Sequence, residues 1–300
     1  MEAVAPEDWP CGSLTTIIDV DLQAQLTYES AVRLWFELMT EPVFGDLLHR
    51  HRHGDERVSA DLYTVYSWGI DEHHEPFGDR SLDRLLKQVD ERGRRPEWVL
   101  LAVEEESDNG LRVPGATGDC FSAALAVRCL EESREGAHFS ASGTYWSPDL
   151  VAPAAVQADW CRAVKRFASQ TAAAFANISD DNERVRTALD SALDRSEAES
   201  ITMSRSVLRG YSWVTVCGSE LVGRLGGASA LEASGAFWRV HMFDHDAAYL
   251  QATERLNDYD SAAIERVFRA LSPVLPAGVV KPTWGNDWPR LVHDDASRYH

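Results

Sequence analysis

The sequence predicts an α+β fold with a mixed or mainly antiparallel sheet and helices packed on it. Segments in which apolar and polar residues alternate occur singly and in neighbouring pairs, between segments with the 3.6-residue period of helices. Strands and helices therefore do not alternate as they would in a doubly wound parallel sheet. Apolar residues make up 44% of the 300 residues, and 10 of them are tryptophan, so a large core can form.

The first half is predicted to begin with a strand and a helix. Alternation predicts a strand at 14–22, and Thr27 is a candidate N-cap for an amphipathic helix at 28–39. Aromatic and β-branched residues predict a strand at 62–70. Leucines at helical spacing predict a helix at 81–92. Further strands are predicted at 97–105, 121–130 and 138–145, with a polar, glycine-rich connection at 108–118.

The second half is predicted to hold the longest helix, at 151–175, with Trp160 on its apolar face. The charged, alanine-rich segment 180–200 is predicted to be a solvated helix, with a mobile linker as the alternative. A hairpin of two short strands is predicted around Asp244–Asp246, and a last helix at 261–275. We expect Trp284 and Trp288 to pack the C-terminal tail back on the body.

The segment 209–237 changes from period 2 to period 3.6 within a few residues. Its first part, up to Cys217, is predicted to be extended, and Ser219 is a plausible N-cap for the helix that follows. Gly226 and Gly227 are expected to stop that helix. The largest apolar side chains at core positions along the chain are expected to be buried: Trp35, Trp160, Trp213 and Phe268.

The chain carries a strong acidic excess. It has 48 Asp and Glu residues against 29 Lys and Arg residues, which gives a formal net charge of −19. Such a field repels nucleic acid phosphates and anionic membranes, so neither is an expected partner. It favours a basic protein partner, or it serves solubility alone.

Other features bear on location and organisation. No run of apolar residues is long enough for a membrane span, and residues 1–12 lack an export signal. The 5 cysteines include no C-x-x-C pair and are expected to be reduced. We expect a cytoplasmic protein without a cofactor, built as a single domain, 1–300, or as two loosely similar halves, 1–150 and 151–300.

One histidine-rich cluster is a candidate for metal binding. The string HRHRHGDE contains His49, His51 and His53, followed by Asp55 and Glu56. Imidazoles at this spacing can share one face of a strand or helix and bind a transition metal. The two interleaved arginines disfavour a dication, so a solvated loop after the first helix is the expectation.

A second cluster, DEHHE, comprises Asp71, Glu72, His73, His74 and Glu75. It follows the predicted strand at 62–70, and loops at strand ends often carry functional groups. Its spacing matches no zinc signature such as H-E-x-x-H. No metal site is therefore predicted here or elsewhere.

Catalytic and phosphate-binding motifs are not recognisable. The glycine-rich string GLRVPGATG at 110–118 fits neither phosphate-binding pattern and precedes a strand, not a helix. The nucleophile-elbow pattern G-x-S-x-G does not occur. We therefore expect a protein that is not an enzyme, with no catalytic or cofactor-binding residues.

Three acidic segments, predicted to be loops at strand ends, are the candidates for binding a partner. They are expected to present carboxylates, with Tyr259 as an exposed aromatic group, although Asp260 is also a natural N-cap for the last helix. The candidate residues are Asp71, Glu72, His73, His74, Glu75, Asp244, His245, Asp246, Asp258, Tyr259 and Asp260.

The C-terminal half carries a family resemblance. The string GYSWVTVCGSELVGRLGGASAL, the strands VHMF and YLQATE, and the helix ending in ALSPVL resemble the C-terminal block of a family of bacterial immunity-type proteins. That family is associated with type VI secretion and polymorphic-toxin loci. Trp213–Thr215 matches its W-[LV]-T pattern, and Glu220–Gly227 matches E-L-V-x-R-L-G-G. The segments YWSPDL, ADWCRAVKRFA and AFANIS are similar to an upstream helix, so the resemblance covers about 140–275.

The resemblance implies a non-enzymatic α+β protein that binds and neutralises a cognate secreted toxin, and the acidic charge of the chain favours a basic one. It supplies no catalytic residues, and the matched positions are structural. The sequence departs from the family pattern at Asp244–Asp246, where a glycine-rich turn is usual. Two alternatives stay open: an enzyme that uses the groups at 71–75 or 49–56, and an acidic structural or regulatory protein without a toxin partner.

Overall fold

The structure is a computed structural model that describes residues 11–22, 26–67, 69–92, 95–105, 119–129, 136–182, 185–282 and 288–300. The chain divides into two compact units, Met1–Leu14 with Leu22–Ala163 and Thr15–Asp21 with Val164–His300. Both units combine antiparallel strands with helices, so the predicted α+β class is confirmed. The predicted connection at 108–118 and Trp284 lie outside the described residues.

The strands, in chain order, are β1 (Cys11–Asp21), β2 (Val58–Ser67), β3 (Asp71–Pro76), β4 (Trp98–Glu105), β5 (Cys120–Cys129), β6 (Gly136–Trp146), β7 (Phe175–Ser179), β8 (Val214–Cys217), β9 (Arg239–Met242) and β10 (Ala248–Gln251). The α-helices are α1 (Tyr28–Phe44), α2 (Leu47–Arg52), α3 (Ser81–Arg92), α4 (Ala154–Thr171), α5 (Ala188–Ala192), α6 (Glu197–Met203), α7 (Ser219–Arg224), α8 (Gly227–Ala233) and α9 (Ser261–Leu271).

The strands of the first unit follow the order β3-β2-β4-β5-β6, and each neighbouring pair is antiparallel. Buried and more exposed residues alternate along β2, β4 and β5, because one face of the sheet packs more tightly than the other. Helix α1 packs on β5 and β6, and Trp35 meets Phe139 with ring centroids 5.5 Å apart. The Thr27 side chain accepts a hydrogen bond from the Ser30 amide, which confirms the predicted N-cap.

The C-terminal end of α1 is held by two aromatic side chains of the same unit. The last carbonyls of a helix have no partner within the helix. The Tyr145 hydroxyl donates to the Val43 carbonyl at 3.0 Å, and the Trp160 indole donates to the Pro42 carbonyl at 3.0 Å. The Tyr145 ring lies over Gly143, where an added Cβ would come within 2.5 Å of the hydroxyl oxygen. Only glycine fits that position with Tyr145 in place.

The strands of the second unit follow the order β1-β7-β8-β10-β9, with β1 contributing Thr15–Asp21. Every residue of β7, β8 and β10 is buried, so both faces of these short strands are covered. Strand β9, at the end of the order, pairs with β10 and alternates between exposed and half-buried residues.

A fully buried arginine organises the polar interior of the second unit. Arg209 Nη1 donates to both carboxylate oxygens of Asp19 at 2.9 and 3.0 Å. Its Nε and Nη2 donate to Asp190 Oδ2 at 3.2 and 3.0 Å. Burial disfavours the guanidinium charge, but the two carboxylates outweigh that effect and raise the pKa of Arg209. We call Arg209, Asp19 and Asp190 the buried ion network; it joins β1 to α5.

This network overturns the prediction for 180–200. The segment is not a solvated helix: every residue of α5 is buried, and Thr187 and Asp190 form a capping box at its start. Asp190 also accepts a hydrogen bond from the Ser200 hydroxyl at 2.6 Å. The charge of Asp190 is balanced by Arg195 of the same segment and by Arg209, which is distant in sequence. Composition does not reveal the pairing with Arg209.

Helix α4 ends at Thr171, earlier than the predicted Phe175, which begins β7. Ala172 adopts a left-handed conformation, with φ of 49°. The Ala173 amide donates back to the Ala168 carbonyl at 3.1 Å, which closes the helix. A glycine usually marks this kind of helix ending. Because Ala172 occupies the position here, the sequence gives no signal for the end of α4.

The unit at 209–235 is confirmed in its main features and corrected at one cap. Trp213 is 1% exposed, and its indole donates to the Thr253 carbonyl at 3.0 Å. The strand covers only Val214–Cys217, and Gly218, not Ser219, is the N-cap of α7. Gly226, with φ of 86°, follows the end of α7 as predicted, but Gly227, which was also expected to stop the helix, begins α8. The other residues predicted to be buried are 0–2% exposed: Trp35, Trp160 and Phe268.

Candidate functional site

The acidic segment 71–75 is a strand, not the predicted loop. Residues Asp71–Pro76 form β3, which pairs antiparallel with β2 at the end of the first unit's strand order. Thr64 lies opposite His73, and Tyr63 lies opposite His74. Both faces of β3 carry polar side chains, so no alternation of apolar residues marks this strand in the sequence.

The β3 side chains make a set of exposed polar contacts. His73 Nε2 lies 2.8 Å from Asp71 Oδ1, and His74 Nε2 lies 2.9 Å from Asp61 Oδ1. The His74 ring stacks on Tyr63 with centroids 4.4 Å apart. Glu75 accepts a hydrogen bond from Arg84 at 2.9 Å. Exposed pairs of this kind contribute little to stability. Their charged groups lie at the surface, where a partner can reach them.

The turn that leads into β3 presents an apolar side chain. Ile70 is 86% exposed, which is unusual for a large aliphatic residue. Gly69 precedes it with φ of 72°, and its amide donates to the Glu72 carboxylate. We call Ile70 with Asp71–Glu75 the β3 edge. It places one exposed aliphatic group beside three carboxylates.

The cluster HRHRHGDE lies on α2 and the turn after it, so the expected loop is largely helical. His51 Nδ1 lies 3.0 Å from the Val58 carbonyl oxygen, and Nε2 lies 3.1 Å from the Phe77 carbonyl oxygen. Both ring nitrogens of His51 therefore face backbone carbonyl oxygens and not a shared metal position.

The remaining groups of this cluster are also engaged locally. The His49 and His53 rings lie with centroids 4.0 Å apart. Arg50 pairs with Asp55 at 2.9 Å and with Glu105 at 2.6 Å. Hydrogen bonds from Arg57 and then Arg50 hold the pKa of Asp55 well below its usual range. Among the residues that the structure describes, no group of three or more His, Cys, Asp or Glu is placed to hold a metal ion.

The segment Asp244–Asp246 forms the turn of the β9–β10 hairpin, as predicted. Asp246 adopts a left-handed conformation with φ of 62°, and the Phe243 amide donates to the Ala247 carbonyl at 2.8 Å. The His245 ring stacks on Phe243 with centroids 5.3 Å apart. Asp244 and Asp246 are exposed, so they are accessible in this turn.

The third candidate segment serves mainly as structure. Tyr259 is 2% exposed, so the expectation of an exposed aromatic group is wrong. Arg290 donates to the Tyr259 carbonyl at 2.8 Å and pairs with Asp180. Asp260 caps α9 by accepting from the Ala263 amide, as predicted. Asp258 is exposed at the end of a short 3-10 turn.

The candidate residues therefore lie on three kinds of element: an edge strand, a hairpin turn and a helix cap. Residues 71–75 share one strand of the first unit, whereas the other two segments belong to the second unit. The β3 edge is the densest of these surfaces.

A further group of aromatic and cationic side chains, three of them exposed and one half-buried, is not among the predicted site residues. Trp238, Arg239 and His241, with Lys165 of α4, form what we call the β9 strip. Trp238 is 48% exposed, and the Arg239 guanidinium lies 4.3 Å from the centroid of its ring. The alternation in Arg239–Met242 could have placed Arg239 and His241 on one face. That Lys165 lies close to β9 and β10 can be seen only in the tertiary structure.

No helix in the described part of the chain is long and apolar enough to cross a membrane. The sequence matches no known protein family, and no curated protein matches it. Among solved structures, the fold is similar to that of the Pseudomonas aeruginosa T6SS protein PA0821, with a TM-score of 0.53 and 11% sequence identity. The similarity covers 100% of this chain and 84% of that one. At this identity, the likeness establishes that the two chains share a fold.

Proposed function

We propose that this protein is a non-enzymatic immunity protein of a type VI secretion system, which binds and neutralises a cognate toxin in the cytoplasm. The observation that carries the proposal is the similarity of fold, over the whole of this chain, to a protein described as belonging to type VI secretion. The immunity role is taken from the motifs within 140–275 that resemble immunity-type proteins.

The β3 edge is the surface that we propose for the toxin. Protein interfaces combine apolar anchors with a polar rim. Ile70 supplies an anchor, and Asp71, Glu72 and Glu75 supply carboxylates around it. Strand β3 also lies at the end of its unit's strand order, where main-chain groups can pair with a strand of another protein.

The charge of the chain suits a basic toxin. A net charge of −19 attracts a cationic protein over distances comparable to the Debye length. Complementary charge mainly speeds association, and salt weakens this effect. Neutralisation then follows from occlusion: the bound chain covers the toxin's active surface and needs no catalytic group of its own.

The test is a pull-down of the protein encoded beside this gene, carried out at low and at high salt. The test variant replaces Asp71 with Asn and both Glu72 and Glu75 with Gln. A matched control removes three exposed carboxylates of the same unit through Glu37→Gln, Glu41→Gln and Asp46→Asn. We expect the β3 variant to bind at least about tenfold more weakly at low salt, and the control to bind as the native chain does.

Each outcome has a defined meaning. Absence of binding by the intact chain, at either salt concentration, rejects a toxin partner encoded by that gene. If the β3 variant and the native chain bind equally well, the proposed partner is retained, but the β3 edge is rejected as its contact surface.

A further inference from the structure

Strand β9 is an exposed edge of the second unit. It comprises four residues, Arg239–Met242, and ends the strand order of that unit. Arg239 and His241 are exposed, whereas Val240 and Met242 are half-buried. The strand pairs with β10 on one side. Its other side is the kind of edge to which an extended peptide can add a further strand.

The β9 strip has a positive local charge. Tyr249 lies opposite His241 across the β9–β10 pair, and Lys165 Nζ lies 5.8 Å from the centroid of the Tyr249 ring. Burial, followed by the charges of Lys165 and Arg239, lowers the pKa of His241, and Asp244 opposes this effect. Neither Arg239 nor Lys165 forms an ion pair with another described residue. The cationic groups of Arg239 and Lys165 thus lie near the His241 imidazole, and no carboxylate among the described residues pairs with either cation.

This positive strip is a local exception in a chain with a net charge of −19. Like charges held close together repel each other, and a carboxylate placed between them would relieve that repulsion. Trp238 and Arg239 are also the residue types most enriched among the residues that dominate binding energy in protein interfaces. The guanidinium carbon of Arg239 lies 4.3 Å from the centroid of the Trp238 ring, which is the distance of a cation–π contact.

We propose that the β9 strip is a docking site for an extended, acidic segment of a partner protein, which adds a strand to β9. The carboxylates of that segment pair with Arg239 and Lys165, and its main chain bonds to the edge of β9 that does not pair with β10. The Trp238 ring covers one apolar side chain of the segment. This inference is independent of the toxin proposal, because it concerns another unit and a partner of opposite charge.

A polypeptide fits the strip better than a nucleic acid or an anionic membrane does. The chain's net charge of −19 repels long polyanions, whereas a short acidic segment presents few charges beyond those that the strip neutralises. An edge strand also offers main-chain hydrogen bonds, for which a peptide backbone is the natural complement.

The experiment measures fluorescence anisotropy of a labelled short peptide of alternating valine and glutamate residues, titrated with the full chain. We expect saturable binding that the Arg239→Gln/Lys165→Gln variant weakens at least about tenfold. Trp238→Ala is expected to weaken it by a similar factor. The matched control, Arg266→Gln/Lys281→Gln, removes one Arg and one Lys exposed elsewhere in the same unit and is expected to bind like the native chain.

Two modified peptides separate the parts of the proposal. Replacing glutamate with glutamine is expected to abolish most of the affinity, and N-methylation of alternate backbone amides is expected to do the same. Undiminished binding of the glutamine peptide contradicts recognition by charge. Undiminished binding of the N-methylated peptide contradicts strand addition.

Three other results overturn the proposal as a whole: no binding of the valine–glutamate peptide, equal loss in the control variant, and tighter binding of a single-stranded oligonucleotide or of anionic vesicles through Arg239 and Lys165. Circular dichroism and thermal unfolding of each variant identify any loss of binding that comes from misfolding. A variant that unfolds is replaced by the single substitution Arg239→Gln, whose side chain is exposed.

Discussion

The buried ion network of the second unit and the β3 edge of the first use the same chemistry for different ends. Both combine carboxylates with cationic or titratable partners at hydrogen-bond distance. Arg209 and Asp190 are 0% exposed, whereas the side chains of His73 and His74 are more than half exposed. Water screens the second set and not the first. The buried charges therefore specify structure, and the charges of the β3 edge lie where a partner can reach them.

The same comparison shows why charge patterns in a sequence are hard to interpret. The segment 180–200 is as charged as a solvated helix would be, yet it supplies the carboxylate that Arg209 needs inside the unit. The segment 71–75 is also rich in charged residues and does lie at the surface. Only the tertiary position of each partner separates the two cases.

The largest expected effect comes from breaking the buried ion network. Arg209→Met removes the cation that Asp19 and Asp190 share and leaves Asp190 only its longer contact with Arg195, so we expect the free energy of unfolding to fall by about 3–5 kcal/mol. Chemical denaturation of the purified variant measures this. The control is Arg205→Met, which removes an exposed pair with Asp21 in the same unit and is expected to cost less than about 1 kcal/mol. Equal losses in the two variants would remove the distinction between buried and exposed charges.

The next effect concerns a carboxylate that burial destabilises. Burial raises the pKa of Asp181 to about 6, against opposing hydrogen bonding from Ser179. Its proton is therefore bound more tightly in the folded chain, and the stability that the proton supplies is present below about pH 4 and is lost as the pH rises through 6. Asp181→Asn cannot ionise, so it should be more stable than the native chain at pH 7, by about 2–3 kcal/mol.

Unfolding measured from pH 4 to pH 8 checks this sign. The advantage of Asp181→Asn should shrink towards zero at the acidic end of that range. A variant that is less stable at pH 7 would show that the ionised carboxylate is stabilised by its neighbours.

A smaller effect is expected for a neutral buried group of the first unit. Tyr145→Phe removes the hydroxyl that donates to the Val43 carbonyl, while the hydrogen bond from the Trp160 indole to the Pro42 carbonyl remains. We expect a loss of about 1–2 kcal/mol in the free energy of unfolding. Tyr63→Phe, on the half-buried face of β2, is the control and should change stability by less than about 0.5 kcal/mol. A loss from Tyr145→Phe as large as that from Arg209→Met would show that charge is not what distinguishes the network.

The smallest effect on stability is expected at the β3 edge. The variant with Asp71→Asn, Glu72→Gln and Glu75→Gln should unfold within about 1 kcal/mol of the native chain, because its ion pairs are exposed. Thermal unfolding at low and high salt measures this. A destabilisation as large as that of Arg209→Met would mean that the β3 edge is structural, and it would remove the basis for assigning binding to it.

Much of the fold followed from local patterns in the sequence. Strong periodicity located β2, the helix that contains Trp35, and the strand–turn–helix unit around Trp213. The predictions are wrong where the local sequence pattern does not reflect the structure. Alanine replaces glycine at the left-handed end of α4, and β3 has no apolar face. Tyr259 was placed at the surface, because sequence does not show that Arg290 and the C-terminal segment cover it.

Of the candidate site, the carboxylates of the β3 edge and of the β9–β10 turn were placed at the surface correctly. The secondary structure was predicted correctly for the β9–β10 turn, but not for the β3 edge, which is a strand. The β9 strip was not predicted, since Lys165 and His241 are far apart in sequence and are joined only by the pairing of β9 with β10 and the packing of α4. Charge clusters that form between distant elements leave no local signal.

The most direct test of the central claim is growth of cells that produce the neighbouring candidate toxin, with and without this chain. The account predicts that the intact chain restores growth, and that the control with Glu37→Gln, Glu41→Gln and Asp46→Asn does so equally. The β3 variant should restore growth less well while accumulating to the same level. Continued growth arrest in the presence of the folded, intact chain would contradict the account.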